Sequence, residues 1–412
     1  MLLSKRMVKT AKFLVIFLII WLISSIKLLK TEFNRDFILS CESLPVIKTP
    51  KNHKRMHAAT IASVSDDHLI VAYFGGSDEG KSDVKIWLSH GFKNSDDLWV
   101  WDEPFIVADS SEITGQKKKP CYNPVLFKFD DKTMFLFYKI GKSPVKWTGY
   151  LKRSFDGGHN WTWAENLSKY GGSVGPTRCK PLRLDDNTLL CGSSVEGLIN
   201  WDVRMETFNF YPKTSEISFV EISEPINTPH NIFNGKGIEK DKSSKFSLLN
   251  ITGIIQPTMF FLGNGSIKTI CRGKGTKYLL SSVSSDFGRT WAPIEQEVDL
   301  PNAGGDCGSG LDSLKLDNGY ILVVRNDLPN GVKNGTCGDR SKLVLDLSKN
   351  NGKSWKTVLV LEATPPSQGK QNCYPSMIKA DDGLIHIVYT ADKTGNGNRI
   401  KHVVLDPQAF YN

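Results

Sequence analysis

Two aspartates recur in this sequence at the same point of the same octet. Asp156 lies in "SFDGGHNW", Ser154 to Trp161, and Asp286 lies in "SSDFGRTW", Ser284 to Trp291. Carboxylates repeated in pattern could serve as general acids or bases, moving a proton to or from a reacting group. The company they keep points elsewhere. Ser and Asp side chains hydrogen-bond the backbone amides of a tight turn, Gly supplies a positive φ, and Trp packs back onto the hairpin. Both aspartates therefore read as turn-builders, remote from any chemistry.

The elements that carry the octets follow from their spacing. A third copy, "SKNNGKSW" from Ser348 to Trp355, has Asn350 in the Asp position, and an eroded copy begins at Ser89 and ends near Trp99. The starting serines at 89, 154, 284 and 348 are separated by about 65 residues, twice that, and about 64, the period of a repeat architecture with one degenerate unit. Apolar, β-branched runs lead into the clear copies: "TGYLKRS", "YLLSSVS" and "KLVLDLS". Upstream or nearby lie hairpins with Asn-Gly or Asp-Gly turns, "MFFLGNGSIKTIC", "SLKLDNGYILVVR" and "SMIKADDGLIHIVYT". Four short strands per repeat make a propeller blade. The sequence thus predicts an all-β, six-bladed β-propeller over residues 51–412, with helices nearly absent.

The formal net charge is +9. Six basic residues, Lys5, Arg6, Lys9, Lys12, Lys27 and Lys30, fall in the first 30 positions, which hold no acid. The remainder is too weakly basic for a nucleic-acid footprint, so no nucleic-acid partner is expected. Residues 1–12 read as a short basic cytoplasmic tail. Residues 13–29, opening "FLVIFLIIWLISSI", read as a hydrophobic signal-anchor helix in preference to a cleaved signal peptide, because no A-x-A-like site follows. Residues 30–50 read as a linker. The expected localisation is single-pass, type II, with the propeller in the secretory lumen or outside the cell; cleavage would make it secreted. All eight cysteines lie beyond the anchor. None forms a C-x-x-C pair, so no metal or other cofactor is expected. Cys179–Cys191 and Cys307–Cys337 are plausible bridges, with the pairing left open. Arg178 and Lys180 in "GPTRCKPL" read as a solvated turn in preference to residues lining the mouth, and the polar stretch 229–245 as a loop between blades three and four.

The octets are the Asp-boxes of sialidases, and the chain resembles the BNR/Asp-box sialidase-like family over nearly all of residues 55 to 407. Four stretches carry the resemblance beyond the boxes: "HAATIASVSDDHLIVAYFGGSDEGKSDVKIWLS", "NPVLFKFDDKTMFLFYKIG", "QPTMFFLGNGSIKTICR" and "YPSMIKADDGLIHIVYT...IKHVVLDP". The resemblance implies a carboxylate held by arginines, whose forks match it bidentately. It also implies a Tyr nucleophile with an activating Glu and a separate acid/base. On this sequence the nucleophile falls on Tyr374 and two of the arginines on Arg272 and Arg340. The acid/base falls on Glu79, with Asp78 and Asp83 behind it. Two positions depart from the pattern. His57 stands where the first arginine is expected, with Arg55 close by as its substitute, and Gln256 stands in place of the activating Glu. A neutral amide does not take a proton from a phenol.

The implied activity is a sialidase-like glycoside hydrolase, of exo-alpha-sialidase type, acting on acidic sugars of glycoconjugates. One alternative is a uronate-specific polysaccharide lyase, in which Gln256 and Arg272 hold the carboxylate while His57 and Tyr374 move the protons. The other is a catalytically inactive propeller that binds glycans. In all three the partner is a glycan.

Overall fold

The structure, a computed structural model, describes residues 37–45, 55–113, 117–196, 201–211, 216–226, 253–302, 308–327, 340–365, 368–394 and 397–411. The expected basic tail and anchor segment, Cys307 and Cys337, and the 229–245 loop all lie outside them. Among the described residues there is no α-helix, and no helix is long and apolar enough to cross a membrane.

Six antiparallel sheets account for the fold. Blade 1 runs Arg55–Ser65, His68–Gly76, Lys85–Lys93 and Trp99–Trp101, with Phe105–Ala108 also paired to its third strand. Blade 2 begins at Cys121–Lys128, blade 3 at Leu182–Arg183, blade 4 at Gly253–Phe261 and blade 5 at Asp312–Lys315. Blade 6 is built from Gln371–Lys379, Ile385–Thr394 and Gly397–Leu405, and its outermost strand is Ile38–Ser43 from the other end of the chain. The stretch expected as a linker therefore closes the ring. Main-chain pairing of Cys41 with Val403 ties the two ends together.

Each strand alternates sides, so a blade buries both of its faces against its neighbours. The apolar residues accordingly gather in six clusters, one per junction. Ile70, Leu88 and Leu136 fill the junction of blades 1 and 2, and Leu345, Ile387 and Val403 that of blades 5 and 6.

The octets form the turns their residue types demand. Ser154 Oγ accepts from Gly158 N at 2.8 Å, and Asp156 Oδ1 accepts from Asn160 N at 2.9 Å. Ser284 and Asp286 repeat the pattern with Gly288 and Thr290, at 2.8 and 2.9 Å. Both indoles donate to the turn's own Gly carbonyl, at 2.8 and 2.9 Å. In the third copy the indole of Trp355 crosses to Glu297 on blade 4 at 2.9 Å instead. The eroded copy is displaced from its expected start. Ser89 sits in mid-strand, paired with Val71, and the turn comes later, where Asn94 accepts from the amides of Asp96 and Leu98.

The Cys179–Cys191 bridge does not form. Both are free thiols: Cys179 Sγ lies 3.2 Å from the carbonyl of Leu311 near the axis, while Cys191 is buried between blades 2 and 3.

Candidate active site

The innermost strands share a backbone irregularity that creates the mouth of the ring. Ala58, Asn123, Arg178, Gln256 and Tyr374 all hold a left-handed φ, between 45° and 77°. Strand pairing skips at four of these points, between His57 and Thr60, Tyr122 and Val125, Ile255 and Thr258, and Cys373 and Ser376. Left-handed non-glycine residues cost of order 1–3 kcal/mol each and gather at functional sites. The bulges re-aim side chains that regular strands would send into the sheet packing. In blade 5 the innermost segment supplies glycines, and a Cβ on Gly310 would come within 2.9 Å of the Tyr374 ring.

Tyr374 is the centre of the arrangement. Arg272 Nη1 donates to its hydroxyl at 3.0 Å and to the Gln256 amide oxygen, also at 3.0 Å. The guanidinium carbons of Arg178, Arg272 and Arg340 stand 5.6, 5.6 and 5.2 Å from its ring centre. The His57 ring meets it edge-on at 4.6 Å, and His57 Nδ1 shares a 3.1 Å hydrogen bond with the Thr390 hydroxyl. Burial alone would raise the phenol's pKa, but Arg272 and Arg340 outweigh burial and hold it below the ordinary value.

A cleft of about 270 Å³ opens onto this centre, lined among others by Glu79, Tyr122, Asn123, Glu196, Trp201, Gln256, Arg272 and Tyr374. It holds two phenols in opposite electrostatic conditions. Burial and the Glu79 charge push Tyr122 up to about 12, whereas Tyr374 is lowered. Only the second is shifted toward ionisation. A side cleft of about 40 Å³ continues past Glu79 to Arg55, His57 and Asp78.

The sequence-predicted residues sort as follows. Tyr374, Arg272, Arg340, Gln256 and His57 converge on one point. Glu79 reaches the cleft from an exposed loop. Arg55 lies in the side cleft beside His57, 3.7 Å from Asp78. Asp83 serves its own loop: its carboxylate accepts from the Ser77 hydroxyl at 2.8 Å and the Ser77 amide at 3.1 Å.

Two further residues belong to the site. Arg178, expected in a solvated turn, is 1% exposed. It donates to the carbonyls of Ala59 on blade 1 and Pro375 on blade 6, and supplies the third guanidinium from blade 3. Glu196, at the end of Thr188–Glu196, lines the cleft with one buried carboxylate oxygen that has no hydrogen-bond partner among the described residues. Burial raises it to about 7 against the pull of Arg272 and Lys274. A carboxyl poised near neutrality can both accept and return a proton. The sequence offered one signal for Arg178. Asn123, Arg178 and Tyr374 each stand seven residues before an aspartate of the inner hairpin turn, Asp130, Asp185 and Asp381.

Below the mouth, Asp312 joins four blades. It accepts from Thr258 at 3.1 Å, the Met377 amide at 2.9 Å and Lys180 Nζ at 2.9 Å. Lys180 is thus an axial cross-link.

A six-bladed propeller with a tyrosine and three arginines at its mouth defines the class of molecule. The chain belongs to the BNR repeat-like domain family, whose match covers residues 67–387. No curated protein matches it. Among solved structures, the chain is similar to NanB sialidase from Streptococcus pneumoniae, at 12% identity and TM-score 0.59, over 89% of this chain and 71% of that one. It is similar to a Trypanosoma rangeli sialidase bound to the inhibitor DANA, at 10% identity and TM-score 0.55, over 85% of this chain but 55% of that one. It is also similar to the alpha-L-arabinofuranosidase Arb93A from Fusarium graminearum, at 16% identity and TM-score 0.58, over 90% and 99%. At these identities the likeness establishes the shared propeller.

Proposed function

We propose that the chain is a sialidase-like glycoside hydrolase that takes a sugar bearing a carboxylate. One observation carries this reading: the Tyr374 hydroxyl, hydrogen-bonded by Arg272 and acidified by guanidinium charge, faces an open cleft that also holds two carboxyl groups. Arg272 binds the substrate carboxylate at the cleft wall, while Arg178 and Arg340 support the charge from behind the tyrosine ring. The departure at Gln256 then has a physical answer. Phenol ionisation is favoured by arginines in place of an adjacent carboxylate, and Glu196, near neutrality in the same cleft, takes the proton. Tyr374 oxygen attacks the anomeric carbon and the glycosidic oxygen leaves with a proton from Glu79. Water then cleaves the tyrosyl linkage as Glu79 recovers a proton. Residues 13–29 are assigned as the anchor that holds the propeller on the lumenal or extracellular side.

Near-neutral Glu196 also supports the lyase reading, since abstracting a proton beside a uronate carboxylate needs a base of that strength. Product analysis separates the two. The full-length protein is offered a fluorogenic alpha-sialoside and, separately, uronate-containing polymers. Release of free sugar acid supports hydrolysis, an unsaturated uronate chromophore supports elimination, and saturable binding without turnover marks a glycan-binding propeller. Tyr374→Phe should abolish turnover while leaving the melting temperature unchanged; near-normal rates in that variant remove the phenol from the mechanism.

A further inference from the structure

We infer that His68, His90 and His159 form a binding site for a divalent transition-metal ion, with Zn²⁺ the ion of choice, at the junction of blades 1 and 2. The site lies away from the mouth, beside the first octet turn. One ring nitrogen from each residue lies within 4.8 Å of the others. The three come from separate elements: the start of His68–Gly76, the middle of Lys85–Lys93, and the turn of the first octet. Eight histidines occur in the whole chain, so three on one spot is a notable concentration.

The surroundings prepare these rings for a metal. His68 and His90 are 8% and 5% exposed and share a 2.8 Å hydrogen bond, which fixes their orientation. Among the described residues, no close hydrogen bond reaches the buried His90 Nε2. His159 stacks on His90 at 4.4 Å from the solvent side, while Phe92 stacks on His68 at 4.3 Å and Phe105 on His90 at 5.9 Å. Tetrahedral Zn²⁺ with bonds of 2.0–2.1 Å sets its nitrogens about 3.3 Å apart. The donors lie up to 4.8 Å apart, so the widest pair must close by about 1.5 Å, a movement the exposed His159 side chain can supply. Three imidazoles without carboxylate or thiolate ligands suit Zn²⁺ or Cu²⁺ and exclude Ca²⁺ and Mg²⁺. An ion here would clip the first octet of blade 2 to the second and third strands of blade 1. This site is independent of any activity at the mouth.

The test is a Zn²⁺ titration of full-length protein carrying no polyhistidine tag, against a chromophoric chelator, for wild type and His159→Ala. His159 is exposed and its ring makes no contact that the octet needs, so the variant should fold, as its melting temperature without metal will show. One Zn²⁺ per chain, weakened at least tenfold in the variant, is expected. Zn²⁺ should raise the melting temperature of wild type alone. Cu²⁺ in place of Zn²⁺ should give an electron paramagnetic resonance spectrum with three nitrogen ligands. Equal binding by the two proteins, or no binding by wild type at micromolar Zn²⁺, overturns the site.

Discussion

The octet turns and the mouth are both products of the same repeat, yet they treat it oppositely. At the turns, the side chains are kept and the backbone follows: Ser154, Ser284 and Ser348 each accept from a glycine amide at 2.8–2.9 Å. At the mouth, the backbone is kept and the side chains diverge. Five blades hold the same left-handed conformation with Ala58, Asn123, Arg178, Gln256 and Tyr374. A fold built on repeats can thus fix its architecture at one place and gather unlike functional groups at another, each placed by the same local distortion. Turns need the same hydrogen-bond acceptors because each closes the same hairpin. A site needs different chemistry because a substrate is asymmetric.

The contrast breaks most visibly at Arg272. Arg272→Gln removes the hydrogen bond to Tyr374 and one of the charges that acidify it. Turnover should fall about 10²–10³-fold, as for other preorganised charge-stabilising donors. Burial would then dominate and raise the phenol's pKa, so the remaining activity should shift to higher pH. A pH–rate profile that keeps its position would detach this arginine from the phenol. Folding should be barely affected, because the mouth is the part of the blade that tolerates variety.

Asp312 tests the other half of the contrast, since it lies close to the mouth but serves the architecture. Asp312→Ala strips Lys180, Thr258 and the Met377 amide of their shared acceptor. Breaking one side of a buried ion pair costs about 3–5 kcal/mol. Denaturant unfolding should register that loss, while kcat per folded molecule stays within a few-fold of wild type. A stable but inactive variant would move Asp312 into the site.

Glu196 sharpens the comparison through pH. Its raised pKa, about 7, means the folded chain holds a proton that the unfolded chain has already lost above the ordinary carboxylate value. Its contribution therefore favours the folded state at low pH, and stability falls as pH climbs from about 4.5 through 7. Glu196→Gln should flatten that decline in melting temperature. The same substitution should remove the limb of the activity profile that rises near pH 7. A wild-type melting temperature already flat over this interval would contradict the assignment of a near-neutral carboxyl.

The sequence made the turns and the ring legible because their information is local. Ser, Asp, Gly and Trp within eight residues state a turn, and three such statements at one period imply the blades. Tyr374, Arg272 and Arg340 were reachable through the family resemblance of the stretches around them. Arg178 and Glu196 were not, because their character depends on closure. Arg178 acquires its role only when Ala59, 119 residues away, and Pro375, 197 residues away, present their carbonyls to it. Glu196 is an ordinary strand-end acid until Gln256, Arg272 and Trp201 from the next segments wall it in. The closing strand Ile38–Ser43 was missed for a similar reason: six residues, "ILSCES", carry no mark of the partner at the far end of the chain.

The smallest expected effect lies at the turns. Asp286 is half-buried; burial alone would raise its pKa, but hydrogen bonds from Thr290 and Ser284 outweigh it and bring it down to about 2. A depressed carboxylate stabilises the folded chain above its unfolded pKa and loses that contribution as pH falls from about 4 to about 2. The chain already contains the comparison, since Asn350 fills the same position in the third octet. It accepts from Ser354 N at 3.0 Å, where Asp286 accepts from Thr290 N at 2.9 Å. An amide therefore builds the turn without the charge. Asp286→Asn should cost less than about 1 kcal/mol, the value of a surface capping bond weakened but kept. Asp286→Ala, which removes the acceptor altogether, should cost about 1–2 kcal/mol. Chemical denaturation near neutral pH measures both. Equal losses in the two variants would show that charge, and not the accepted hydrogen bond, is what the octet selects.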